Sequence, residues 1–246
     1  MSRWRCICAY DGTGYSGWQT QPTRDAVQDV IEAALVKIFK TPIRLHGSGR
    51  TDAGVHALAQ VFHFDADWTH SSENLLIALN SNLPASIQVQ SIERVADDFH
   101  ARYSATGKRY HYRIFSGQAA PFETRYCLSM PHKLDVEAIS RAGQCLLGEH
   151  NFSAFTAENG NEPDKDNPVK DFQLFKIEED GPWIQLTFES SGFLYKMVRS
   201  LAGALIRVGR GKISPEQFRE ILESGIRTKD VVTAKPRGLF LEKVYY

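Results

Sequence analysis

Two consecutive stretches of this chain run through the same order of backbone periods, and that order restricts the architecture more than any single residue does. In the first stretch RWRCICAY alternates as a strand, and residues 24–40 carry Val27, Ile31, Leu35 and Ile38 at helical spacing until Thr41-Pro42 stops them. IRLHG and LAQVFHF read as strands, NLLIALN as a short helix behind the candidate caps Ser71 and Ser72, and IQVQSIERV as a strand after Pro84. Strand, helix, strand, strand, helix, strand is the split βαβ pattern of a ferredoxin-like domain. The second stretch repeats it with one helix more. KRYHYRIF alternates, residues 135–147 form a helix capped by Asp135 and stopped at Gly148, and FQLFKIEE and WIQLTFE make a hairpin through Asp180-Gly181-Pro182. Residues 193–208 read as an apolar helix, Ser214-Pro-Glu-Gln217 as the capping box of the additional helix, and GLFLEKVYY as the closing strand.

The pattern predicts an α+β protein of two ferredoxin-like, RRM-like sheet-plus-helix halves. Their ranges are 1–103 and 104–246, with an acidic loop, 156–169, inserted in the second. The duplication is one of pattern only, since no sequence repeat is visible. A chain of 246 residues that is 42% hydrophobic can bury a substantial core. Its four cysteines form neither a CxxC pair nor a disulfide framework, the start lacks a signal-peptide apolar region, and no 18 apolar residues run together. Reduced thiols, a cytoplasmic location and no membrane partner are the expectation.

Charge is balanced overall, 29 basic against 29 acidic residues, but unevenly placed. Residues 156–180 hold eight acids against three lysines, whereas 99–113 (FHARYSATGKRYHYR) and 193–212 (FLYKMVRSLAGALIRVGRGK) hold no acid and carry four and five Lys/Arg. Local positive potential, more than the total, governs phosphate binding, so these two stretches are either solvated faces or backbone tracks for a nucleic acid.

Several motifs fall away on inspection. Residues 12–17, GTGYSG, match GxGxxG after a strand, but Trp18, Gln19 and Pro22 intervene before the helix, so no helix N-terminus would face a pyrophosphate. His46-Gly-Ser-Gly lacks the glycines of a nucleophile elbow, and Cys6, Cys8, His56 and His63 do not show zinc spacing. No metal and no cofactor is expected.

GSGRTDAGVHA, residues 47–57, is different. An Asp between strands is ordinarily a turn former, yet Arg50 stands two positions before Asp52. A guanidinium beside a carboxylate favours its ionised form even in a dry pocket, and an ionised, desolvated carboxylate can act as nucleophile or general base. In KRYHYR the alternation puts Lys108, Tyr110 and Tyr112 on one sheet face and Arg109, His111 and Arg113 on the other. Such a face can stack a base and hold its phosphate, or pack aromatics across strands.

YDGTGYSGWQTQ, GRTDAGVHALAQV, DDFHARYSAT with KRYHYRI, HNFSAF, KMVRSLAGALIRVG and GLFL occur in that order from residue 10 to residue 241. Together they resemble the TruA family of tRNA pseudouridine synthases over nearly the whole chain. The resemblance implies isomerisation of uridine to pseudouridine at positions 38, 39 and 40 of the tRNA anticodon stem-loop, without metal or cofactor, by a homodimer. It implies a continuous, mainly antiparallel sheet with helices on one side and an RNA-binding cleft on the other. By the same resemblance Asp52 is the catalytic carboxylate, Arg50 helps extrude the target nucleotide, Tyr110 stacks on the flipped uracil, Arg199 pairs with Asp52, and Leu239 lines the pocket. Lys108 and Arg109 join Tyr110 as substrate-binding candidates. Two departures stand out: Lys170 where relatives commonly show Arg, and AKPRGLFL in place of an Ala-Pro lead. The alternative is a non-catalytic RNA-binding protein with an RRM-like sheet, in which Asp52 is structural. A weaker third reading is a nucleotide-dependent oxidoreductase using GTGYSG.

Overall fold

The computed structural model describes residues 1–157 and 167–246. Most of the acidic loop 156–169 thus lies outside the described residues. The chain divides into two units, Met1–Thr106 together with Phe240–Tyr246, and Gly107–Leu239. Among the described residues there are ten strands and five α-helices.

Unit 1 contains β1 (Ser2–Tyr10), α1 (Val27–Phe39), β2 (His46–Gly47), β3 (His56–Ala66), α2 (Ser72–Asn80) and β4 (Ile87–Val95), and takes in β10 (Leu239–Tyr245) from Phe240 onward. β1 lies antiparallel between β4 and β3, and β2 and β10 share the other edge of β3 at different ends, β2 antiparallel and β10 parallel. The alternation of β1 is the one its sequence shows: Trp4, Cys6, Cys8 and Tyr10 are buried while the residues between them are not. The thiols of Cys6 and Cys8 are pushed up by burial, which leaves them poor nucleophiles. β3 is covered on both faces, and its buried polar residues His56, Gln60 and His63 each have a hydrogen-bond partner.

Unit 2 contains β5 (Gly107–Ser116), β6 (Leu128–Met130), α3 (Val136–Gln144), β7 (Gly148–Asn151), β8 (Val169–Asp180), β9 (Trp183–Ser190), α4 (Met197–Gly209) and α5 (Pro215–Ser224). Its sheet order is β5-β9-β8-β7, all antiparallel, with β6 parallel to β5. The hairpin through Gly181 and the Ser214 capping box form as the sequence reads them. In the box, Ser214 Oγ accepts the Gln217 N–H and Gln217 Oε1 accepts the Ser214 N–H.

Two helices begin later than the ranges read from the sequence, 24–40 and 193–208. α1 starts at Val27 because Arg24 lies in the left-handed region (φ 58°) and the Asp29 carboxylate accepts the Ala26 N–H, fixing the first turn there. α4 starts at Met197, not at residue 193, because Lys196 takes φ 56°, a conformation that no helix continues through.

Candidate active site

Asp52 sits on the connection between β2 and β3, and the chain holds that connection from both sides. Before it, Ser48 N–H donates to Val61 O at 2.7 Å, Ser48 Oγ donates to Gln60 Oε1 at 2.7 Å, and Gln60 Nε2 donates to Gly49 O at 3.1 Å. Thr51 is buried, its Oγ1 shares a 2.8 Å hydrogen bond with Tyr10 Oη, and its carbonyl accepts the Trp18 N–H at 3.1 Å. After it, the Val55 N–H closes a turn onto Asp52 O at 3.1 Å. Asp52 itself is half-buried, and Arg50 is exposed.

The glycine-rich run after β1 supplies the seat for this loop. A 3-10 turn, Gly12–Gly14, is capped by Asp11, whose carboxylate accepts the Thr13 N–H. A Cβ built on Gly12 would fall inside the carbonyl of Val55, and one on Gly17, which has φ 97°, would fall inside the carbonyl of Thr51. The two residues that flank Asp52 in the turn, Thr51 and Val55, therefore rest directly on glycine backbone. GTGYSG is a contact surface for the GRTD loop, which accounts for Gly12 and Gly17 without any dinucleotide; a Cβ on Gly14 would meet nothing within 4 Å. Buried His56 anchors the same run. Its Nδ1 accepts the Gly12 N–H at 3.1 Å and lies 3.2 Å from Asp11 Oδ1, and its ring stacks on Phe240 at 4.7 Å. The sequence showed of His56 only that it lacks zinc spacing, because no local pattern tells that a histidine past the loop reaches back to Gly12.

The remaining candidates belong to unit 2. Tyr110 on β5 is buried, meets Phe193 edge-to-face at 5.1 Å, and lies opposite Phe188 across the sheet. Its neighbour Arg109 lies opposite Glu189, and both Nε and Nη2 stand 2.7 Å from Glu189 Oε2. Lys108 is half-buried. Arg199, in the first turn of α4, donates from Nε to Ala234 O at 2.8 Å, while the Ala234 N–H donates to Arg199 O at 2.9 Å. This reciprocal pair fastens the segment before β10 to α4. Lys235 O, next in that segment, accepts from Tyr112 Oη at 2.8 Å, and burial raises the Tyr112 phenol well above its usual value. Leu239, at the head of β10, is buried. Within unit 2 the AKPRGL segment thus links α4, carrying Arg199, to β5, carrying Tyr110. Arg227 completes the anchoring: Nη1 donates to Thr156 O and Ser200 Oγ, and Nη2 to Val231 O and Thr233 Oγ1, all within 2.9–3.1 Å. Nothing in its sequence neighbourhood marked it.

Among the described residues, no group of three or more His, Cys, Asp or Glu side chains is placed to hold a metal ion, and no helix is long and apolar enough to cross a membrane.

The model of a family described as tRNA pseudouridine synthase matches residues 7–104 and 142–246, which include Arg50, Asp52, Arg199 and Leu239; Tyr110 falls between the two blocks. Full-length relatives span that gap. A Clostridium perfringens (strain 13 / Type A) protein named tRNA pseudouridine synthase A 2 is 42% identical over 238 residues, 96% of each chain. A Streptococcus pneumoniae (strain 70585) protein named tRNA pseudouridine synthase A is 39% identical over 248 residues, covering 100% of this chain and 99% of its own. An Exiguobacterium sibiricum protein of the same name is 39% identical over 246 residues, covering 100% and 97%.

Proposed function

The chain belongs to the tRNA pseudouridine synthase family, and from that premise we propose that Asp52 is the carboxylate that starts the conversion of uridine to pseudouridine in the tRNA anticodon stem-loop, at positions 38, 39 and 40. The reaction is an isomerisation. The bond from N1 to C1′ breaks, the uracil turns, C5 joins C1′, the C5 proton leaves and N1 gains one, so nothing is oxidised and nothing is hydrolysed overall. A carboxylate beside an anomeric carbon can form an ester with it or stabilise a cationic sugar. The same group could add to C6 of the uracil or take the C2′ proton.

The observation that carries the assignment is the fixation of the Asp52 loop. Thr51 and Val55 are held by hydrogen bonds and by direct contact with Gly17 and Gly12, which fixes the backbone on either side of Asp52 and supports a preorganised role for it. An Asp serving only as a turn former needs no such seat. Arg50, exposed on the same loop, is assigned to extruding the target nucleotide and filling its place; extrusion costs a few kcal/mol, which stacking on Tyr110 offsets in part. Phe193 supports the Tyr110 ring edge-on for that role. Arg199, its Nε anchored on Ala234 O, is assigned as the charge partner of the carboxylate, and Leu239 as pocket lining. Lys108 and Arg109 are assigned to the RNA; Arg109 reaches a phosphate only by sharing or leaving Glu189. The order β4-β1-β3, with β2 on the far edge of β3, supports a ferredoxin-like reading of unit 1. A homodimer acting in the cytoplasm completes the proposal.

Uridine and pseudouridine have the same mass, so the test uses tRNA tritiated at C5 of uracil and counts tritium released to water. Asp52→Asn is expected to keep tRNA binding and to lose release on the order of 10⁴-fold or more. Turnover by Asp52→Asn at the parent rate would refute the assignment. Tight binding without release by the unsubstituted protein would instead support the non-catalytic RNA-binding reading.

A further inference from the structure

The loop between β4 and β5 is far more tightly fastened than an exposed connection requires. Ser104 N–H donates to His100 O at 2.9 Å and Ser104 Oγ accepts the His100 N–H at 3.0 Å, closing a compact turn. Ala101 is fully buried, its N–H donates to His63 Nδ1 at 3.1 Å, and its carbonyl accepts from Tyr246 Oη at 2.7 Å. Arg3 Nη1 donates to Phe99 O at 3.0 Å, and Thr106 N–H to Tyr245 O at 2.9 Å. The backbone has lost its freedom on folding, before any ligand is met.

What this scaffold presents is one ring. Tyr103 is 77% exposed, yet its centroid lies 4.3 Å from that of His100, with planes inclined by 32°. His100 Nδ1 accepts the N–H groups of Arg102 and Tyr103, which sets the imidazole beneath the phenol. Behind it, His63 lies 4.7 Å from His100, and His46 lies 5.1 Å from His63, inclined by 21°, and 5.6 Å from His100. Three rings thus run from buried His63 on β3 through His100 to Tyr103 at the surface, and exposed His46 on β2 flanks His63 and His100. Burial first, and then its histidine neighbours, bring His63 down to about 4 and lower His100, so both imidazoles are neutral near pH 7. At the margin the Arg102 guanidinium carbon lies 5.9 Å from the Tyr103 ring centroid, whereas Arg3, which also depresses both histidines, is paired with the Asp65 carboxylate at 2.7–2.8 Å.

A rigid, exposed aromatic face backed by neutral His100 and His63 and bordered by the Arg102 guanidinium has the chemistry of a nucleobase platform, where stacking is tolerant of sequence and the cation meets an adjoining phosphate. A tyrosine kept for packing would bury its ring, as Tyr112 does. We propose that Tyr103, held by His100, His63 and His46, is a stacking platform for an unpaired base of the tRNA, on a loop separate from the one that carries Asp52. This rests on the reading of the protein as a tRNA enzyme and adds a second contact to it.

The test measures binding of a labelled anticodon stem-loop, and kcat and KM for tritium release from full tRNA, for Tyr103→Ala, Tyr103→Leu and Tyr103→Phe, with thermal unfolding and sedimentation as checks of fold and assembly. Tyr103→Ala and Tyr103→Leu are expected to raise Kd and KM by about 10-fold, with kcat falling much less, while Tyr103→Phe restores both constants. Equal affinity for Tyr103→Ala and the parent overturns the platform. So does restoration by Leu as fully as by Phe, which would reduce the contact to apolar area. Loss of affinity accompanied by loss of a dimer at the assay concentration also overturns it, since the ring would then serve contact between copies. Failure of the tRNA reading looks different: the unsubstituted protein would neither bind the stem-loop nor release tritium.

Discussion

Gly12 and Gly14 lie two residues apart in one 3-10 turn, and adding a methyl group to each should have opposite consequences. At Gly12 the new Cβ would meet the backbone carbonyl of Val55, roughly 1 Å inside the 3.0 Å limit that real Cβ atoms keep, and neither partner can rotate away. Val55 is tied to Asp52 O through its N–H, so relief moves the turn that carries the carboxylate. Its other end, Thr51, is held by Tyr10 and Trp18, so the movement falls within residues 52–55. A displacement near 1 Å at a reacting group costs about 10²-fold in rate, and overpacking of this kind costs about 1–3 kcal/mol in stability. At Gly14 the same methyl would meet nothing within 4 Å. Gly14→Ala should change stability by no more than about 0.5 kcal/mol and leave the rate as it is. The assay is single-turnover tritium release at saturating tRNA, beside thermal unfolding and tRNA binding for both variants. Gly12→Ala is expected to bind tRNA and turn it over about 10²-fold more slowly. Parent-level turnover by Gly12→Ala, or equal losses in the two variants, would refute the claim that the glycine run is the seat of the Asp52 loop and that this loop serves the reaction.

Acid should weaken unit 1 through His63. Its folded value of about 4 lies below the ordinary 6.5, so between those values the unfolded chain binds the extra proton. This histidine's contribution is therefore complete above pH 6.5 and falls as pH drops toward 4, by about 2 kcal/mol at pH 5. Urea unfolding at pH 7 and pH 5 measures it. His63→Asn, which can still accept the Ala101 N–H, should flatten the difference, and an unchanged slope would exclude His63 as its source. In unit 2, Arg227→Ala removes four hydrogen bonds, two that tie residue 227 to Thr156 and to Ser200 of α4 and two within residues 227–233, at a cost of about 2–4 kcal/mol. Limited proteolysis should then cut between residues 226 and 234 sooner than in the parent; an unchanged cleavage rate would show that the remaining ties to α4, Asp230 to Arg207, Thr233 to Ser200 and Ala234 to Arg199, hold the segment without Arg227.

Much of the local structure was legible because its causes are local. Ser71, Asp135 and Ser214 each cap the helix that follows, Gly181 turns the hairpin, and β1 buries every second residue, since caps, turns and pleats depend on neighbours a few positions away. Errors arose where one backbone angle overrode a favourable pattern. FLYK reads as helix by apolarity, but Lys196 at positive φ postpones α4 to Met197. Three-residue β6 and four-residue β7 are too short for alternation to register. IRLHG contributes only His46–Gly47 to a ladder, because the Leu45 backbone is taken by α1 side chains instead: its N–H donates to Glu32 Oε1 and its carbonyl accepts from Gln28 Nε2.

For the site itself, the sequence determined which residue types were present and in what order. Asp52 with Arg50 in GRTD and Tyr110 in a basic alternating strand were visible as chemistry, the ordered blocks were enough to indicate the family, and Arg199 in KMVRS came only with that resemblance. Tertiary structure alone decided what holds them. That Gly12 and Gly17 carry Val55 and Thr51, that His56 reaches Gly12, that Ala234 clasps Arg199 and that Phe240 lies beside His56 are contacts between segments far apart in the chain. The physical reason is that side-chain chemistry and local backbone preference are properties of a few consecutive residues, whereas close packing and hydrogen bonding across the fold depend on which distant segments the core brings together.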